Sequence, residues 1–368
     1  MKNLRLTALA AVNLLFLMPA CTVTGSDDSG ESGNGPTAPM TEADTTAPTT
    51  GTPPAETGIV DETGGESTAG QEETSIDPST TGGGDSELCT RLGGTAGIGE
   101  LVTEFLGVVL TDDRINAYFL KNTIDFGALG QCVIDQLGEA TGCAGVTYGC
   151  KTMLAAHEGL GISTADFTDF AEDFGMAFAT HKGNYPDLTD DDLNTIVGVL
   201  GSLAPEIVED ADDNLTVYQR VGRKPAIKGL IGMPGAAGSF VDNVANDAAI
   251  NGFFGATDFM RLNTCLTRQV HSLDGPNTYG LERDGLPAGV DPGASQAAPC
   301  LDMMTSHAGL VDANDNMGID TNDFLALVTD LITAMDTAGV PMDDQNIILG
   351  ALGPLCSSIV TVDPENCP

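Results

Sequence analysis

The chain of 368 residues has no tryptophan, five tyrosines and four histidines, and sets only 14 lysines and arginines against 53 aspartates and glutamates. Each shortage removes a class of function. A net charge of -39 excludes nucleic acid as a partner, because phosphate binding needs a patch of Lys and Arg. It also repels anionic lipid headgroups. Beyond Leu88, β-branched residues seldom alternate with polar ones, which argues against a sheet. The cysteines show no Cys-x-x-Cys spacing, so thiolate metal ligation is the weaker reading of them. Histidine chemistry is confined to His157, His181, His271 and His307.

What is present begins with an address. Lys2 and Arg5 precede a largely apolar run from Leu6 to Met18, and Pro19-Ala20-Cys21 follows. The run is too short and wrongly flanked for a mature membrane span. It resembles a bacterial lipoprotein signal, although the usual leucine, Leu17, lies one place early. Residues 1–20 are then the signal. Cys21 carries the lipid that anchors the protein in the cell envelope, at the periplasmic face or the cell surface. An ordinary secretory signal is the alternative, and it too exports the chain. Eight cysteines remain after Cys21, four in each half, an even count that suits an oxidising compartment. Residues 21–84 are rich in Gly, Ser, Thr, Pro, Asp and Glu. With almost nothing to bury, they are expected to form a disordered acidic linker.

From Leu88 onward the apolar residues recur at helical spacing. Ile98, Leu101, Val102, Phe105, Val108 and Val109 form one stripe, and Phe167, Phe170, Phe174 and Phe178 form another. The second half repeats the first. Asp125-Phe126-x-x-Leu129-x-x-Cys132-x-x-x-Gln136 matches Asp258-Phe259-x-x-Leu262-x-x-Cys265-x-x-x-Gln269 without a gap. Cys150-x-x-Met153-x-x-x-His157 likewise matches Cys300-x-x-Met303-x-x-x-His307. Domains are expected at residues 85–210 and 211–362, with a tail at 363–368.

Two of the four histidines therefore hold equivalent places, each one turn after a methionine on an apolar side. A core histidine bonded to backbone is the bland alternative; repetition favours a ligand. Leu88-Cys-Thr-Arg-Leu-Gly-Gly-Thr-Ala-Gly-Ile98, then Phe119, then Met153-Leu-Ala-Ala-His157-Glu-Gly-Leu-Gly-Ile162 resemble the group 1 truncated haemoglobins. The resemblance covers residues 88 to about 208 and extends through the repeat to 215 to about 361. It implies an all-α fold of two tandem two-on-two globin-like domains after the linker, each holding one haem. His157 and His307 are the implied iron ligands, and Phe119 and Phe254 the aromatic residues packed on the porphyrin. The second copy is the more divergent: Val221-Gly222-Arg223-Lys224-Pro225 replaces the Gly-Gly start, and insertions precede Cys300 and follow Leu310.

Departures from the family narrow the expected chemistry. A tyrosine often lies on the second helix, but the matching positions are Leu106 and Val241. The next distal positions are Leu129 and Val133, then Leu262 and Leu266. Such apolar pockets cannot donate a hydrogen bond to bound dioxygen. Gln136 and Gln269 lie one turn on and are placed at the surface. Partners for the haem propionates are scarce, with Lys121 and Arg261 or Arg268 as candidates. His181 and His271 are placed on the surface, and the redox partner is not identified.

Equivalence in the repeat pairs Cys132 with Cys150 and Cys265 with Cys300; elimination then pairs Cys89 with Cys143 and Cys356 with Cys367. Four cysteines per half allow three pairings, so the alternatives stay open. Asp312 to Asp323 spaces its oxygens like a calcium loop, but its glycine is one place late and Asp323 replaces the usual Glu. A solvated loop is the favoured reading. The expected function is an exported haem protein binding oxygen, nitric oxide or carbon monoxide. Two alternatives stand: a haem-free globin-like module stapled by disulfides, and an enzyme detoxifying nitric oxide or peroxide.

Overall fold

The computed structural model describes residues 84–368. The signal segment, Cys21 and all but the last residue of the linker fall outside them. The described residues are helical, with isolated β-bridges but no strand. Seven helices make the first half: α1 (Glu87–Arg91), α2 (Gly94–Thr111), α3 (Phe126–Ala140), α4 (Met153–His157), α5 (Thr164–Lys182), α6 (Asp190–Ser202) and α7 (Ala204–Ile207). The second half follows with α8 (Val217–Arg220), α9 (Arg223–Ile231), α10 (Phe240–Asn246), α11 (Phe259–His271), α12 (Met303–His307), α13 (Thr321–Ala338), α14 (Met342–Leu352) and α15 (Cys356–Ile359). A 3₁₀ turn precedes α3 (Asn116–Phe119) and another precedes α11 (Asn251–Phe254).

Local chemistry sets the helix starts. Ser163 and Asp166 form a reciprocal cap on α5, Thr189 and Asp192 on α6, and Asp320 and Asp323 on α13. Each cap satisfies two backbone donors that the first turn leaves without a partner. Asp125 and Asp258 cap the two equivalent helices α3 and α11.

The stripe on α2 closes the first core. Ile98, Leu101, Val102, Phe105 and Val109 pack with Leu137 of α3, Phe174, Ala177 and Phe178 of α5 and Ile196 of α6. Phe105 meets the edges of Phe170 and Phe174 at ring separations of 4.8 and 5.5 Å. Each large side chain so buried stabilises the fold by about 1.5–3 kcal/mol. In the second half Leu331, Ala334 and Met335 of α13 meet Ile227, Leu230 and Ile231 of α9 with Val241 and Val244 of α10. Four disulfides join Cys89 to Cys143, Cys132 to Cys150, Cys265 to Cys300 and Cys356 to Cys367.

The halves share contacts inside one compact unit. Ala117 of the first half lies in the core of the second. Arg223 pairs with Asp166 at 2.9 Å and Asp169 at 2.7 Å. Lys224, 1% exposed, reaches Asn116 and Asp291, and Lys228 reaches Asp113. The acidic stretch around residue 210 is tied down as well, since Glu209 accepts from the backbone N–H groups of Gly159 and Gly161.

Candidate functional site

His157 closes α4 and His307 closes α12, both helices of one turn capped by Thr152 and Asp302. Helix α4 rests on α7, and α12 rests on α15. In each ring Nδ1 lies 2.7 Å from the carbonyl four residues earlier, Met153 O or Met303 O. Ser306 Oγ lies 3.0 Å from the same nitrogen of His307. A carbonyl only accepts, so the proton belongs on Nδ1 and Nε2 keeps its lone pair. That is the tautomer a metal-ligating imidazole needs, oriented by its other nitrogen. Both rings are half-buried.

Apolar side chains occupy the positions assigned to the lining. Leu106, Phe119 and Val133 lie half-buried against the first core, alongside Phe170, Leu193, Val197 and Leu200. Leu129 is half-buried on the same helix as Val133. Phe254, Leu262 and Leu266 lie half-buried against the second core. Val241 departs from its counterpart Leu106, being part of the second core itself. Gln136 points its amide at Met153 Sδ, 3.6 Å away. It therefore links the helix of Val133 to the turn that holds His157.

An imidazole with Nε2 unprotonated suits an iron porphyrin as donor, whereas the expected arginine partners for its propionates are committed elsewhere. Arg268 is buried among Glu282 and Asp291. Arg261 spends its guanidinium on the carbonyls of Gly293, Ala298 and Pro299. Neither is free to meet a propionate, which leaves Lys121. Two hollows, of about 230 and 430 Å³, are lined by neither His157 nor His307, nor by Phe119 or Phe254. The smaller is bordered by Asp312, Asp315, Asp320 and Asp323. Among the described residues, however, potential ligand atoms gather only at Asp85, Cys89 and Cys143, where both sulfurs are spent in a disulfide.

His181 and His271 correct the expectation that they lie at the surface: both are 0% exposed. Helix α5 runs on to Lys182, so His181 continues the stripe of Phe174, Ala177 and Phe178. That spacing was the available signal. Its Nε2 donates to Leu92 O at 3.3 Å, and the ring stacks on Tyr185 at 4.3 Å. His271 accepts from the Asn277 amide at 3.0 Å. Burial pushes its pKa down to about 3, so it stays neutral. The unrepeated histidines are thus the fully buried pair, and the repeated ones are half-buried.

No protein-family model matches the chain, and no curated protein matches it. The functional reading therefore rests on the residues themselves.

Proposed function

We propose that the protein is an exported haem protein of truncated-globin type that binds a diatomic gas, with His157 and His307 as the iron ligands of two globin-like domains. One observation carries the reading. Both repeated rings commit Nδ1 to a backbone carbonyl at the same distance and leave Nε2 available. Haem iron bound there would supply an open coordination position for oxygen, nitric oxide or carbon monoxide. The chain's own part is to hold the imidazole, exclude water and withhold hydrogen bonds. Leu129, Val133, Leu262 and Leu266 offer no donor toward a ligand, which favours carbon monoxide, nitric oxide or weak oxygen binding over dioxygenation. Lipidation at Cys21 would place this site at the cell envelope.

A haem-free module is the second reading. It is favoured by the commitment of Arg261 and Arg268 elsewhere and by the burial of Val241 in the second core. Hemin titration of the purified full chain separates the two. Two equivalents should give a Soret band, His157→Ala and His307→Ala each removing one. A native chain that gives no specific Soret band at either site rejects the haem reading.

A further inference from the structure

The insertion before Cys300 in the second half reaches the first half at the corner of residues 116–126 that carries Phe119 and leads into α3. Arg283 extends from this insertion. Its Nη1 lies 3.4 Å from Phe119 O and 3.3 Å from both Lys121 O and Ile124 O. Its guanidinium carbon sits 3.9 Å above the Phe126 ring. The N–H of Asn122 donates to Leu281 O at 2.9 Å, and Lys121 bridges Glu282 through the backbone. From the other side, Lys224 of α9 donates to Asn116 Oδ1 at 2.9 Å, in the 3₁₀ turn that ends at Phe119.

Arg283 is an unusual expenditure in so acidic a chain. Among the described residues it makes no ion pair with a carboxylate, although acids outnumber bases nearly fourfold. It is spent on three carbonyls that share the two N–H groups of Nη1 and on an aromatic face. The insertion is itself anchored. Arg268 of α11 holds Glu282 at 3.1 Å and Asp291 at 2.7 Å, and Lys224 shares Asp291. A continuous set of side chains therefore runs from α11, which bears Leu262 and Leu266, to the corner bearing Phe119.

The second half does not receive the same treatment. Its own corner is met by its later insertion, with Ala313 N–H donating to Gly252 O at 3.2 Å and the Asn314 amide to Asn251 Oδ1 at 3.4 Å. The first half has the shorter 18-residue span between the equivalent cysteines, against 35. It has no insertion of its own to do this.

We infer that the second half serves the first as a clamp, with Arg283 and Lys224 as positioning residues that hold the Phe119 corner in place. The consequence for haem rests on the function proposed above; the clamp itself does not. Amide hydrogen exchange on the full haem-free chain tests it. In Arg283→Met, amides of residues 119–133 should exchange at least tenfold faster, while residues 251–270 keep their rates. Phe126→Leu, which removes the stacking face from the opposite side, should reproduce the same local pattern. Unchanged rates in both variants, or equal acceleration of both corners, overturn the clamp. In a His307→Ala chain loaded with hemin, Arg283→Met should speed haem loss to a scavenger severalfold. An unchanged rate there overturns the clamp's role in cofactor retention. If the native chain takes no hemin, the proposed function fails, and exchange still decides the clamp.

Discussion

At the turn where the first half has Gly93-Gly94, the second has Gly222-Arg223, and the backbone makes the same shape in both. Gly93 and Gly222 have φ of 85° and 95°, and Gly94 and Arg223 have φ of 67° and 61°. Glycine enters that left-handed region freely, whereas an arginine there costs about 1 kcal/mol or more. The second half accepts the strain because the side chain crosses to Asp166 and Asp169 of the first. What reads in sequence as decay of a motif is, in three dimensions, the acquisition of an interface. Lys224, the next residue, makes the same point from a buried position.

Lys224→Met removes the buried cation from Asn116 and leaves Asp291 with Arg268 alone. Losing one member of such a group costs about 3–5 kcal/mol, measurable as a lower urea midpoint for the whole unit. A loss confined to the second half would mean that the halves unfold separately.

Opening a disulfide comes next. Cys132→Ser with Cys150→Ser and Cys265→Ser with Cys300→Ser should each cost about 2–4 kcal/mol. The second pair should cost about 0.6 kcal/mol more, because its loop is nearly twice as long. Equal losses would indicate that the longer insertion is constrained in the unfolded chain by other means.

Asp173 supplies a test in pH. The side chain is fully buried, neither oxygen has a hydrogen-bond partner, and Arg114 stands 3.9 Å away. Burial, followed by the neighbouring Asp112, pushes its pKa up to about 7. The folded state therefore holds this proton more tightly than the unfolded chain, whose aspartate titrates near pH 4. Stability from this group is present below about pH 4 and is lost as pH rises through about 7. Asp173→Asn should stabilise the protein at pH 8 by about 1–3 kcal/mol and flatten that slope. Denaturant melts of the two proteins from pH 4 to 8 measure both.

The smallest effect is the most diagnostic of the interface. Arg223→Gly should relieve backbone strain while losing two ion pairs, for a net loss of about 1 kcal/mol. The loss should shrink in 1 M salt if the ion pairs carry it. A gain at low salt would show that the crossing pairs contribute less than the strained turn costs.

Legibility in the sequence followed the range of the interactions. The stripe Ile98, Leu101, Val102, Phe105 and Val109 is buried because a 3.6-residue period already says which face is apolar. The equivalent places of His157 and His307 were visible as spacing alone, and the Met-to-His interval that predicts one helical turn is the interval that brings Nδ1 to the carbonyl. His181 was placed at the surface, although its ring lies one turn beyond Phe178 on the same buried face. Arg261 and Arg268 were misassigned for another reason. Their partners sit in the insertion between Leu273 and Cys300, whose irregular path has no periodicity to read.

Local order along the chain sufficed for the helices, the repeat and the apolar stripes of the two long core helices. These depend on neighbours within a turn or two, where chain geometry leaves few choices. Which cations cross between the halves was decided only by the tertiary structure: Arg223 and Asp166 are 57 residues apart, and Arg283 and Phe119 are 164 apart. Charge carries no address along a chain with this many carboxylates, so a partner is selected only when packing removes both groups from water.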